Sequence, residues 1–152
     1  MISKKNNLQV KKFLNQEKKS FLYNKKFMKN WPLSIQFKMD DFGEFIRDKI
    51  KKKNIIFGYG APTKVALLLK LSKLVRADIK FTIEDNSLKI NKYIPRSNIK
   101  IVDFSYLKKH QPDYVIIFAW NFVNDIVKKM KSNGLKNMRV VVPLPKLKII
   151  NI

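Results

Sequence analysis

The stretch Asn54-Ile55-Ile56-Phe57-Gly58-Tyr59-Gly60-Ala61-Pro62-Thr63-Lys64 decides how this chain folds. A short apolar run ends in a glycine-bearing turn, and Pro62 fits the first turn of a helix. Val65, Leu68, Leu69 and Leu71 to Leu74 carry the apolar face of that helix. Strand, tight turn and helix open a β-α-β unit, whose turn presents backbone N–H groups at the positive end of the helix. Gly58–Lys64 is therefore the candidate phosphate-binding loop. Gly58, Tyr59, Gly60, Ala61 and Pro62 supply its backbone, Thr63 a hydroxyl and Lys64 a charge. The spacing is neither a P-loop nor the dinucleotide G-x-G-x-x-G, because Thr63 stands at the third glycine. A lone GxG turn serves strand-to-helix geometry as readily as a ligand.

Outward from the loop, short apolar runs alternate with helices. Ile79–Ile83 reads as a second strand ending in Glu84-Asp85, and a loop through Pro95 leads to a third at Ile99–Val102. Ser105 is expected to cap a helix over Tyr106–His110. Tyr114–Ala119 is the most hydrophobic strand, Asn121 starts the helix Phe122–Lys131, and Gly134 ends it. Arg139–Val142 is the last strand, stopped by Pro143 and Pro145. Unbroken apolar runs mark strands covered on both faces. The chain reads as α/β, a Rossmann-like doubly wound parallel sheet of about five strands in the order 3-2-1-4-5. Helices precede it, with residues 1–52 as a basic N-terminal extension and 53–152 as the domain.

In that extension Lys pairs recur every seven residues, as do Leu14, Phe21 and Met28, flanked by Phe13, Leu22 and Phe27. The pattern predicts an amphipathic helix ending at Trp31-Pro32, since the residue before proline is biased away from helix. Asp40 or Asp41 is expected to cap a second helix with the stripe Phe42, Phe45, Ile46 and Ile50.

The chemistry-bearing residues are few. Glu84 and Asp85 stand about 25 residues past Gly60, where a ribose-binding carboxylate belongs in a dinucleotide fold; Asp85-Asn86-Ser87 is equally a turn sequence. Trp120 and Asn121 end the fourth strand on the same edge as the glycine loop, where open α/β sheets bind ligands; packing and helix capping account for them as well. There is no Cys, which excludes disulfides, Cys-based zinc sites and thiol nucleophiles. The single His110 follows Lys108-Lys109 and reads as a solvated residue at a helix C-terminus. No catalytic residue and no metal site are expected.

The pieces GYGAPTK, EDNSLKINKYIPRSNIKI, PDYVIIFAWNF and VVVPLPK, in that order over roughly Phe42–Lys146, resemble the C-terminal domain of sugar C-methyltransferases. Those enzymes methylate a carbon of a nucleotide-linked hexose with S-adenosylmethionine. They join a Cys-rich zinc module, a central S-adenosylmethionine domain and a C-terminal domain that closes over the nucleotide sugar. The resemblance implies a nucleoside-diphosphate sugar as ligand, with Ser97 keeping the hydroxyl of a family threonine. Arg96, Asn98 and Lys100 replace the family's Gly, His and Pro. The Cys cluster and the Tyr-His-Glu-His stretch that supplies the base have no counterpart here. The chain thus resembles the C-terminal part of such an enzyme, standing alone or truncated. It is expected to bind no cofactor and not to catalyse by itself, with a separate S-adenosylmethionine-binding half as partner. An ordinary dinucleotide-binding module and a basic polyanion or membrane-surface binder are the alternatives.

The formal net charge is +22, yet among the 33 basic residues only Arg47, Arg76, Arg96 and Arg139 are arginine. Residues 1–40 hold ten Lys against Glu17 and Asp40, so the charge is also dispersed. Base readers lean on the planar guanidinium, and a solvated lysine surface is the simpler reading. No run approaches the ~18 apolar residues of a membrane span and no signal peptide opens the chain, so a cytoplasmic protein is expected. DNA binding should be weak, indifferent to sequence and steeply salt-dependent, because counterion release supplies it. Titration of two unrelated duplexes at low and near-physiological salt checks this. Sub-micromolar binding at the higher salt, or a preference between duplexes, contradicts it.

Overall fold

The computed structural model describes residues 4–20 and 23–152. The chain forms two compact units, residues 1–37 and 38–152. Helix α1 spans Lys4–Lys19 and α2 spans Lys25–Lys51. The expected break at Trp31-Pro32 is absent, since Pro32 lies inside α2. Asn24 begins that helix instead, its side-chain oxygen accepting from the Phe27 amide at 3.0 Å, the bond an N-cap makes. Pro32 is exposed, where one missing helical amide costs least. Asp40 and Asp41 accordingly lie mid-helix and not at a cap, and Asp40 pairs with Lys73 at 3.3 Å. Phe13, Leu14, Phe27 and Met28 are all exposed, while Phe21 and Leu22 fall outside the described residues.

The larger unit is built on a six-stranded sheet in the order β3-β2-β1-β4-β5-β6. Its strands are β1 Ile56–Tyr59, β2 Phe81–Ile83, β3 Lys100–Val102, β4 Tyr114–Ile117, β5 Arg139–Val142 and β6 Lys148–Asn151. The first five pair in parallel in the expected order. β6 adds an antiparallel edge, Val142 opposite Lys148 and Arg139 opposite Asn151. The sequence reading stops at Pro143 and Pro145 and misses this strand. It is short and mostly exposed, so it lacks the continuous apolar signal of a doubly covered strand.

Helices fill both faces. Phe57, Tyr59, Val115 and Ile117 point to one face and pack with Leu107 of α4 (Phe104–Lys109) and Ile126 and Met130 of α5 (Val123–Ser132). On the other face lie the C-terminal part of α2 and α3 (Val65–Ser72), with Phe42, Ile46, Val65, Leu68 and Leu69 buried and the Phe45 ring edge-on to Tyr114. Of the expected stripe of α2, Phe42 and Ile46 are buried and Phe45 and Ile50 are half-buried. The cap of α4 is Asp103 rather than Ser105. Its carboxylate accepts from the Ser105 and Tyr106 amides at 2.7 and 3.2 Å, because the backbone is extended at Asp103 and helical from Phe104. The Ser105 hydroxyl donates to the same oxygen.

Gly43 is where α2 comes closest to α3. A Cβ there would collide with the Ser72 carbonyl, which Arg47 caps with a 3.1 Å hydrogen bond. A Gly43→Ala protein should force these helices apart and lose about 1–3 kcal/mol, as overpacked cores do. Urea unfolding monitored by circular dichroism measures it, and an unchanged midpoint removes the close approach as a constraint.

Candidate functional site

At the C-terminal edge of β1 the chain turns through Gly60, whose φ of 90° suits glycine. Its amide donates to Ile83 at 2.7 Å and its carbonyl accepts from the buried Thr82 hydroxyl at 3.1 Å. Cβ atoms at both glycines would strike residues that follow β4, the Phe118 ring at Gly58 and Ala119 at Gly60. Both glycines therefore let β1 lie against the chain that leaves β4. Pro62 lies in the turn ahead of α3, not in its first turn. The Pro62 carbonyl accepts from Val65, and Lys64 stands at the N-cap position.

Glu84 is turned toward this loop. One carboxylate oxygen accepts from the Ala61 amide at 2.9 Å and from Lys89 Nζ at 3.2 Å, and the other accepts from the Asp85 and Asn86 amides. Lys89 closes the ring by donating to the Ala61 carbonyl at 3.2 Å. Burial pushes the Glu84 carboxyl up, but the Ala61 and Asn86 amides and Lys89 outweigh it and hold the group below its ordinary value. The Ala61 amide of the loop therefore already holds an anion. Asp85 is occupied too, accepting from the Tyr59 hydroxyl at 2.9 Å and Lys129 Nζ at 2.6 Å. Burial first, and the Asp85 carboxylate second, raise the Tyr59 hydroxyl, so it stays a proton donor. Lys129 also lies over the Phe104 ring, 4.6 Å from its centroid.

Lys64 reaches the other way. Its Nζ sits 3.4 Å from the centroid of the Trp120 ring, a cation–π contact that joins the end of the glycine loop to the end of β4. β1 and β4 are the neighbours at which the strand order reverses, where open sheets bind ligands. Asn121 does not cap α5. It lies in a 3-10 turn, Trp120–Phe122, and the N-cap position of α5 falls to Phe122.

The candidate residues divide between two cavities. Thr63 and Ser97 line one of about 610 Å3 along α3, with Lys70 and Arg96. Trp120 and Asn121 line another of about 790 Å3 between the start of α5 and the β5–β6 connection. Arg96 and Asn98 have φ of 65° and 55°, so the backbone keeps a left-handed shape where the resembling family has glycine at the first position. His110 is exposed at the C-terminal end of α4 as expected and stacks on Tyr106 at 4.2 Å. Lys89, Thr82 and Lys129 were not legible as site residues, for each acts on a partner more than twenty residues away along the chain.

A mostly parallel sheet with helices on both faces and its strand order reversing between β1 and β4 defines a Rossmann-like α/β domain. Residues 2–145 match the family described as the C-methyltransferase C-terminal domain, and the chain belongs to that family. Its relatives include C-methyltransferase NovU of Streptomyces niveus, 32% identical over 108 residues. That alignment covers 71% of this chain and 26% of the relative, so the chain spans about a quarter of that protein's length. Among the described residues no helix is long and apolar enough to cross a membrane.

The bonds of Glu84 carry a pH signature. A carboxyl held below its ordinary value of 4.5 contributes stability that is present above that value and lost as pH falls through the depressed one. Glu84→Gln should lower stability by about 1–3 kcal/mol at neutral pH and make the acid limb of a melting-temperature profile shallower. An acid limb identical to that of the unsubstituted protein would show that the bonds contribute nothing.

Proposed function

We propose that this chain binds the nucleoside-diphosphate sugar of a C-methyltransferase reaction. The diphosphate lies at the mouth between β1 and β4, against Lys64. The observation that carries the reading is the Lys64 ammonium poised over Trp120, a charge delivered to the sheet's switch point and held there by an aromatic face. Membership of the family supports it, and the site offers charge, hydroxyl and amide groups of the kind a diphosphate takes.

S-adenosylmethionine, which the family resemblance implies as methyl donor, does not fit the residues at this edge. A nucleoside in a Rossmann-like fold places its ribose on a carboxylate at the end of β2. Here Glu84 is committed to Ala61 and Lys89, and Asp85 to Tyr59 and Lys129. The same commitment disfavours a dinucleotide. The methyl donor and the base belong to a separate S-adenosylmethionine-binding half, on the same polypeptide or another, in a cytoplasmic assembly.

Lys64→Ala should weaken nucleoside-diphosphate-sugar binding by about 1.5–3 kcal/mol, roughly tenfold to a hundredfold, through loss of a charge-assisted contact. Calorimetric titration with uridine- and thymidine-diphosphate hexoses reads the effect. Equal affinity in a folded Lys64→Ala protein would place the diphosphate elsewhere.

A further inference from the structure

At the edge where β1 and β2 begin, opposite the glycine loop, a cavity of about 600 Å3 opens against the C-terminal end of α4. Its floor is aromatic. The Phe57 and Phe81 rings meet edge-on with centroids 5.7 Å apart, Tyr106 lies 4.7 Å from Phe81, and His110 stacks on Tyr106 at 4.2 Å with 32° between the planes. Its rim is cationic: Lys80 precedes β2, Lys108 and Lys109 end α4, and all three are exposed. We propose that this cavity binds single-stranded nucleic acid, with one base stacked on the His110 ring and the flanking phosphates on the three lysines.

The rings supply the first reason. Phe57 is buried, Phe81 and Tyr106 are half-buried, and His110 is exposed. The stack is thus held at its inner end and finishes in an accessible ring. A base adds one more ring to an array that folding has already ordered, so little side-chain entropy is lost on binding. The second reason is charge. Among the described residues none that lines the cavity is acidic. The carboxylates of Asp78 and Asp113, close by in sequence, accept from the Val75 and Ile55 amides at 2.8 and 2.7 Å. Lysines alone are common on this chain, but here they surround stacked rings. Cations that track a phosphate backbone, combined with aromatic side chains that take its bases, are how single strands are bound without regard to sequence. The cavity along α3 has cations but no aromatic wall. The third reason is access. A ring can stack only on a base whose face is open, and in a duplex both faces are covered by neighbouring bases. Single strands therefore gain a contact here that duplexes cannot make. The site uses neither Lys64 nor Trp120 and stands apart from the nucleotide-sugar reading.

Fluorescence anisotropy of a labelled oligothymidylate of about ten nucleotides, at near-physiological salt, tests the site in the full chain. An abasic strand of the same length carries the same phosphates without bases. The oligothymidylate should bind about fivefold or more tightly than the abasic strand, the size of one stacked base. His110→Leu, at an exposed position, removes the ring and should erase that margin while leaving the affinity for the abasic strand unchanged. His110→Phe restores a ring and should keep the margin. Lys109→Ala should weaken both strands alike. A saturating nucleotide sugar should displace neither. Equal affinity of the unsubstituted protein for the two strands would show that charge alone holds them and would overturn the site. A margin that survives His110→Leu, or that vanishes equally in His110→Phe, would place the stacked base elsewhere and overturn it as well, as would displacement by the nucleotide sugar.

Discussion

Glu84 accepts from the Ala61, Asp85 and Asn86 amides and from Lys89, and through those bonds the end of β2 dictates the path of the turn after β1. A carboxylate this enclosed must be compensated, because leaving it unpaired would cost several kcal/mol. Compensation by backbone amides from two different turns leaves the loop little freedom. Lys89 completes the restraint by bonding the carbonyl of the residue whose amide Glu84 holds. What looks like a bare phosphate loop is thus a turn that already carries its own anion, and its half-buried cation, Lys64, lies over the Trp120 ring at the end of β4.

The consequences run along the C-terminal edge of the sheet. At the end of β2, Glu84 and Asp85 are held in internal ion pairs, while Lys64 and Trp120 meet across the ends of β1 and β4. The glycines contribute by absence of bulk. Gly58 admits the Phe118 ring, Gly60 admits Ala119, and so the residues after β4 come close enough for Trp120 to meet Lys64. A side chain at either glycine would disturb the contact without touching a ligand.

The excess of lysine has a different standing. Where lysines do specific work, they do it in pairs with named partners, among them Lys89 with Glu84, Lys129 with Asp85 and the Phe104 ring, Lys73 with Asp40, Lys49 and Lys52 with Asp48, and Lys64 with Trp120. The acidic residues number 11 against 33 basic ones, so most lysines have no carboxylate to pair with and are a solvated surface whose influence on polyanions is long-ranged and screened by salt.

The sequence by itself determined the parallel sheet and its strand order. Those follow from apolar runs, turn residues and handedness rules, which act over short stretches of chain. It also carried the family, through four pieces whose order and spacing no single motif could supply. Only the tertiary structure decided which polar group meets which. That Glu84 holds Ala61 rather than waiting for a ribose, that Asp103 and not Ser105 caps α4, that α2 runs through Pro32 from an Asn24 cap, and that a sixth strand closes the edge all depend on distances between groups. The physical reason is the same for the whole site: a carboxylate or an ammonium takes the nearest well-aligned partner, and the pairing of Glu84 with Ala61, of Asp85 with Tyr59 and Lys129, and of Lys64 with Trp120 was brought about by folding, not by spacing along the chain.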